Sequence, residues 1–319
     1  RSRSSAGHPR VAPAPQGLSR TDCSAKDRVH LGLARRRKVG CGDEATHVSP
    51  IVSSKEESKA MRKQPDPTSL TVEDQTVFFT SSEDLNFLPE NSVKFFVTSP
   101  PYWNLKDYGT PGEIGKEDYE TYLDRMNKVW SECYRVGQEN SVLVINVANR
   151  RVKKEFYPIA FDIAAKMKGW KLWDIVLWYI PNALPQPNHY MERLFDNKYE
   201  FLLVFTKDGS TEYEFHKPRV PQKYIKADPR SEKKNPRGRC IGNIVRIPAY
   251  RPPNVKELGY HIAAYPEELV ALMLECYTSP GDTVLDPFVG SGTTLKVARG
   301  MNRSGIGIEL NEAFSDLIK

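Results

Sequence analysis

Asp282-Thr283-Val284-Leu285-Asp286-Pro287-Phe288-Val289-Gly290-Ser291-Gly292-Thr293-Thr294-Leu295 reads as a short apolar strand, a glycine turn and the opening of a helix. Glycines at the carboxyl end of a strand let a ligand approach the backbone closely, and open α/β sheets bind their cofactors at that end. On its own a Gly-x-Gly after a strand is a weak signal, equally compatible with a plain turn. It is not a P-loop, because no Lys-Ser/Thr follows the second glycine, and the third glycine of the dinucleotide fingerprint is missing. Seventeen residues past Gly292, Glu309 ends the next apolar strand, 304–308. An acid there can accept hydrogen bonds from both hydroxyls of a ribose, so a nucleoside cofactor fits the two features together.

Working outward, short β-branched or aromatic runs bounded by turn residues predict strands over 76–80, 93–98, 142–148, 172–180 and 200–206. Between two of them Tyr119, Tyr122, Leu123, Met126, Val129, Trp130 and Cys133 fall on one helical face, with Gly137 as its stop. A second helix is expected over 158–168, ending at Gly169. Pro266 suits the first position of a third, and Glu267 and Glu268 suit its positive end. Strands alternating with helices predict an open, mostly parallel sheet covered on both faces.

The strand over 93–97 runs into Thr98-Ser99-Pro100-Pro101-Tyr102-Trp103. Two consecutive prolines cannot continue a ladder and hold the chain extended, so the bland reading is a strand terminator. That leaves the serine before them and the aromatics after them unexplained. An amino nitrogen conjugated to a base ring is a poor nucleophile, because its lone pair is delocalised into the ring. Acceptors on both of its hydrogens favour a pyramidal nitrogen and free the lone pair to attack a methyl sulfonium in line. The Ser99 hydroxyl and the Pro100 carbonyl can be those acceptors, fixed dipoles that need no reorganisation, and Tyr102 can stack on the base. A base inside a duplex is out of reach, so it must be swung out.

Charge is distributed unevenly. Residues 1–70 carry 14 Lys/Arg against 7 Asp/Glu, and residues 217–256 carry 12 against 2, whereas the rest carries 20 against 31. A strongly cationic stretch in an acidic body repels itself unless a polyanion neutralises it, and nucleic acid is the obvious candidate. Lys217, Arg219, Lys223, Lys226, Arg230, Lys233, Lys234, Arg237 and Arg239 are its candidate phosphate contacts, with Tyr213, Tyr224 and Tyr250 interleaved as stacking surfaces. His189 and His216 read as solvated or structural.

Residues 1–70 lack apolar periodicity and read as a disordered basic tail. Its Arg35-Arg36-Arg37-Lys38 could serve nuclear import or non-specific DNA contact, although such clusters usually serve neither. No apolar run approaches the roughly 18 residues of a membrane span, and no secretory signal opens the chain. The expectation is an intracellular protein, nuclear in a eukaryotic setting and otherwise in the cytoplasm or nucleoid. The five scattered cysteines suggest neither disulfides nor a zinc site, so no metal is expected. The chain starts at Arg1 rather than Met and stops at Lys319, barely into a helix expected over 312–318, leaving room for extension at either end.

Ser-Pro-Pro-Tyr together with Asp-Pro-Phe-x-Gly-Ser-Gly-Thr-Thr resembles the permuted (beta-group) DNA amino-methyltransferases of the N4-cytosine type, over about residues 76–319. The resemblance implies an α/β Rossmann-like methyltransferase fold: an open mixed seven-stranded sheet with helices on both faces, circularly permuted. The permutation opens the chain between neighbouring strands, the one ending at Glu309 and the one beginning near Thr76, where little packing is given up. It further implies S-adenosyl-L-methionine as cofactor and double-stranded DNA as partner, with the oligomeric state left open. Ser99, Pro100, Pro101 and Tyr102 become the catalytic set. Asp84 would contact the cofactor adenine, His261 to Pro266 the methionine end, and Glu309 the ribose. Asp286, Pro287, Phe288, Gly290, Ser291, Gly292 and Thr293 would form the rest of the pocket, and residues 185–256 a target-recognition insertion.

C5-cytosine chemistry is set aside because in that family the cysteine nucleophile follows proline, and none of the five does here. N6-adenine methylation is the rival, but members acting on adenine more often carry Asp or Asn where this chain has Ser99. RNA is disfavoured, since no single-strand module is recognisable. A non-catalytic DNA-binding protein of the same fold stays open, and separate measurements of cofactor binding and methyl transfer divide it from an enzyme.

Overall fold

The computed structural model describes residues 67–105, 109–183, 193–220, 237–250 and 265–315. In chain order the elements are β1 (Ser69–Val72), β2 (Gln75–Phe79), β3 (Val93–Thr98), α1 (Tyr119–Val136), β4 (Gly137–Val147), β5 (Arg150–Val152), β6 (Glu155–Tyr157), α2 (Ile159–Lys166), β7 (Trp170–Tyr179), β8 (Tyr199–Lys207), β9 (Arg219–Val220), β10 (Arg239–Cys240), β11 (Ile244–Arg246), α3 (Glu267–Tyr277), β12 (Thr283–Asp286), α4 (Thr293–Gly300) and β13 (Ser304–Glu309).

The main sheet runs β1-β2-β13-β12-β3-β4-β8-β7-β11. It has nine strands where seven were expected. The inner seven are those read from the sequence, and the additions are the short edge strands β1 and β11. β1 pairs antiparallel with β2, so the expected tail over 1–70 is already sheet at Ser69. β11 pairs parallel with β7, and β8 lies between β4 and β7. Both β8 and β11 fall within 185–256, so that segment is partly built into the sheet rather than wholly inserted. Few, weakly apolar residues made both edge strands hard to read.

β13 pairs in parallel with β2, Glu309 opposite Phe79 and Ile306 opposite Thr76. The late strand and the early strand are therefore neighbours, as the permuted reading requires.

β3 and β4 are buried on both faces, and successive residues feed opposite cores. Phe96, Leu143 and Ile145 pack under α1 and α2, while Phe95, Val142 and Val144 pack under α3 and α4. Asp118 caps α1 by accepting from the Thr121 backbone N–H at 3.0 Å. The face predicted for α1 is the buried one, from Tyr122 through Trp130 to Val136. Gly137 ends α1, though not in the left-handed conformation expected of a glycine stop: its backbone is extended and begins β4. It is required sterically, since a Cβ would stand 2.7 Å from Ser141 Oγ and 2.9 Å from the Cys133 carbonyl. Pro266 is the N-cap of α3 rather than its first residue. The helix expected over 312–318 opens on a 3-10 turn, Glu312–Phe314, and continues helically at Ser315; residues 316–319 lie outside the described residues. Among the described residues no helix is long and apolar enough to cross a membrane, and no group of three His, Cys, Asp or Glu could hold a metal.

Candidate active site

The strand tip and the glycine turn meet because β12 lies beside β3 in parallel, so both strands deliver their carboxyl ends to the same edge of the sheet. There a cleft of about 1040 Å³, counting the solvent at its mouth, is lined by Ser99 and Pro101 of the tip. Across it stand Pro287, Phe288, Gly290, Ser291 and Thr293 of the turn, with Glu309 at the end of β13. Its lining, a glycine turn facing an acid and an aromatic ring, suits a nucleoside.

Glu309 is held in place by two backbone donors: the Gly290 N–H to Oε2 at 3.0 Å and the Asn311 N–H to Oε1 at 2.9 Å. Burial pushes its carboxyl above the usual range against those hydrogen bonds. Each carboxylate oxygen keeps a second lone pair, so hydroxyls from a ligand can still be accepted. Gly290, at φ 51°, turns the chain so that its N–H faces this acid.

The turn is packed as tightly as it is hydrogen-bonded. A Cβ on Gly307 would sit 2.8 to 3.0 Å from three side-chain atoms of Val289, at the centre of the turn. Gly307→Ala should therefore cost about 1–3 kcal/mol of stability and weaken ligand binding in the cleft. A thermal melt with a titration of nucleoside ligand checks both.

Several expected cofactor residues stand elsewhere. Asp286 is 1% exposed and lies beneath the cleft rather than on its wall. It accepts from the Phe288 N–H and the Tyr265 hydroxyl, each at 3.0 Å, and from Thr294. Its role is to fix the turn and Tyr265, which does line the cleft. Asp84 is exposed and closes an Asx turn onto the Asn86 N–H, so the wall near it is made instead by Thr80, Ser81 and Ser82. Pro266 is buried off the wall, as is Pro100 of the expected catalytic set, and Gly292 is the left-handed N-cap of α4, φ 82°. His261 lies outside the described residues.

The tip is braced from several sides. The Tyr122 hydroxyl donates to the Pro101 carbonyl at 3.0 Å, and the Asn104 N–H donates to the Gly115 carbonyl at 2.8 Å. Trp103 is a core residue, its indole N–H bonded to the Glu117 carbonyl at 2.8 Å and its ring packed on Tyr119 and Tyr157. Tyr102 lies off the cofactor cleft, its hydroxyl donating to Glu200 Oε2 at 2.8 Å.

Sequence reasoning missed the opposite wall, which Thr110, Gly112, Glu113 and Ile114 supply. Arg125 of α1 holds it, donating to the Glu113 carbonyl at 3.0 Å and the Gly112 carbonyl at 2.8 Å, and pairing with Glu83, the residue after Ser82 of the facing wall. Burial works against the Glu83 charge, but Arg125's hydrogen bonds and charge prevail and keep its carboxyl below the usual range. Nothing in the spacing of these residues announced a shared site.

Of the basic segment, Lys217, Arg219, Arg237 and Arg239 are described and exposed. β9 and β10 pair antiparallel, bringing Arg219 and Arg239 onto one small ladder. Lys223, Lys226, Arg230, Lys233 and Lys234 lie outside the described residues, as do Tyr224 and His189. Tyr250 is exposed, whereas Tyr213 is half-buried and packs among Trp173, Phe215 and Tyr277. His216 is exposed and bonded to Glu214.

A profile of the family described as DNA methylase, covering the N6 and N4 enzymes, matches residues 93–319. The chain belongs to the N6/N4 DNA methylase family. This methylase is 30% identical to the type II methyltransferase M.Cfr9I of Citrobacter freundii, over 73% of the chain and 82% of the relative. It is 32% identical to the type II methyltransferase M.MwoI of Methanothermobacter wolfeii, over 73% of the chain but only 32% of that longer relative. Among solved structures, TTHA0409 of Thermus thermophilus, complexed with S-adenosyl-L-methionine, is 26% identical with a TM-score of 0.53, covering 76% of the methylase and 90% of that chain. The cytosine-N4-specific PvuII DNA methyltransferase shares the fold at 19% identity, with a TM-score of 0.60 over 79% and 87% of the two chains.

Proposed function

We propose that the methylase transfers a methyl group from S-adenosyl-L-methionine to the exocyclic N4 amino group of a cytosine swung out of duplex DNA. One observation carries the reading: Ser99 and Pro101 of the strand tip share a single cleft with Gly290 and Glu309. The donors and acceptors present suit the cofactor, with a doubly anchored acid for the ribose, an aromatic Phe288 backed by Trp130, and a bare glycine turn. When bound, that cofactor supplies an electrophilic methyl on sulfonium. Ser99, on the cleft wall, accepts a hydrogen bond from the amino group, and the braced tip holds that acceptor still; the carbonyl of Pro100, which the structure buries beneath the wall, is the candidate for the second once the base enters. Glu309 and the turn orient the nucleoside. Ser99 in place of Asp or Asn supports cytosine over adenine.

The cationic stretch 217–256 grips the phosphates. Neutralising three of Lys223, Lys226, Lys233 and Lys234 should flatten the salt dependence of DNA binding, with a change of up to about 0.9 in log–log slope for each phosphate left without its cation. Affinity measured across a salt series checks this, and an unchanged slope places the DNA elsewhere. The activity itself is tested by incubating the methylase with duplex DNA and methyl-labelled cofactor. Label retained on the DNA supports the enzyme, whereas DNA binding without label supports the silent binding module.

A further inference from the structure

We propose that Glu200 is a positioning residue for methyl transfer, fixing the ring of Tyr102 where it meets the extruded base; the inference rests on the function proposed above. Glu200 is the second residue of β8, opposite Trp178 of β7, and faces the same sheet edge as the tip. One of its oxygens, Oε2, accepts from the Tyr102 hydroxyl at 2.8 Å and from Asn146 Nδ2 at 2.9 Å. Asn146 sits near the end of β4, beside β3, from which the tip emerges. The three side chains therefore join the tip to two strands of the sheet.

Among the described residues no cation lies within ion-pair distance of Glu200. Burial pushes its carboxyl upward, and the hydrogen bonds from Tyr102 and Asn146 pull it back. Glu200 is half-buried, and an acid without a counter-charge in such a place is a poor stability device, since an apolar residue of similar size would cost less. Such a group is retained where it orients something. What it orients is Tyr102: burial and the neighbouring carboxyl hold the phenol far above its ordinary range, so it stays protonated and its hydrogen points at Glu200. Ser99 lies three residues before Tyr102 on the same tip, so the ring that Glu200 holds is next to the acceptor proposed for the amino group.

The ring is thus pinned at both ends. Tyr122 fixes the backbone at the Pro101 carbonyl, one residue before it, and Glu200 fixes the hydroxyl at the far side. A stacking surface held this way needs no ordering when the base arrives. A ring free to turn would leave the amino group misplaced by an ångström or so, and misplacement of that size costs up to about 10²-fold in rate.

The test is a double-mutant cycle of Glu200→Ala and Tyr102→Phe, with Glu200→Gln as the conservative variant, read in kcat, KM for DNA and cofactor affinity. Each single variant should lower kcat about tenfold to a hundredfold with cofactor affinity near wild type. The double variant should be no slower than the slower single one, because both changes remove the same hydrogen bond. Glu200→Gln, which can still accept from Tyr102, should recover most of the rate. With 2-aminopurine at the target position, Tyr102→Phe and Glu200→Ala should shift the fluorescence of the target base in the same direction and to a similar extent. Tyr102→Phe breaks the hydrogen bond without removing the half-buried carboxylate, so it decides the matter even where Glu200→Ala fails to fold. A wild-type rate for Tyr102→Phe, or effects that multiply in the double variant, would overturn the role of Glu200. A wild-type protein that transfers nothing overturns the proposed function, and this inference with it.

Discussion

Ser99→Ala is expected to slow methyl transfer by about 10²–10³-fold while leaving cofactor affinity near that of the wild type. Ser99 lines the cleft, and the bonds that brace the tip do not involve its hydroxyl. Those braces are the Tyr122 bond to the Pro101 carbonyl, the Trp103 bond to the Glu117 carbonyl and the Asn104 bond to the Gly115 carbonyl. Alanine therefore removes an acceptor and leaves the tip in place. What disappears is stabilisation of the amino group as its lone pair leaves the ring, which exists only while the reaction proceeds, so kcat falls and binding does not. Single-turnover rates and a cofactor titration on the same preparation separate the two. An unaltered rate would strip Ser99 of its role.

Glu309→Ala should act in the opposite way, weakening cofactor binding by about 100-fold, as expected when hydrogen bonds to a charged group are removed. Two effects coincide. The acceptors for a ribose disappear, and the Gly290 and Asn311 N–H groups lose the acid that holds the turn. Acidification provides a second handle. Burial raises the Glu309 carboxyl above its ordinary value, so it takes up a proton at a higher pH than an exposed glutamate, and the protonated acid is the poorer acceptor. Cofactor affinity in the wild type should therefore fall as the pH is lowered through that raised value. Glu309→Gln, which cannot titrate there, should be weaker throughout and flat over the same range. Calorimetric titration across pH checks both, and a wild-type affinity in Glu309→Ala would contradict the assignment.

The inner seven strands and the four helices were legible because each carries a periodicity that burial enforces. In β3 and β4 alternate residues enter two different cores, and in α1 one face from Tyr122 to Val136 is dry. The two motifs were legible for a different reason, since consecutive prolines and a glycine turn restrict the backbone wherever they occur. Elements without such constraints were not. β1 and β11 are three or four residues at the sheet edges, half exposed, with too few positions to show a pattern.

Side-chain roles were harder still. Asp286 sits inside a cofactor motif, yet its carboxylate turns inward to Tyr265, Thr294 and the Phe288 N–H, because a buried acid seeks every donor within reach. Asp84 satisfies itself locally at Asn86. Glu200 stands 98 positions from Tyr102 along the chain, and Arg125 stands 42 from Glu83. Only the sheet brings the first pair together, and only the docking of α1 the second. Bonds made across strands and helices leave no signature along the chain.

The central claim is that the N4 amino group of a cytosine presented to Ser99 receives the methyl. It is tested most directly by digesting DNA treated with the methylase and labelled S-adenosyl-L-methionine to nucleosides and identifying the labelled one by mass spectrometry. Label in N4-methylcytosine is the predicted result; label in N6-methyladenine, in a ring-methylated cytosine, or in no nucleoside at all would contradict it.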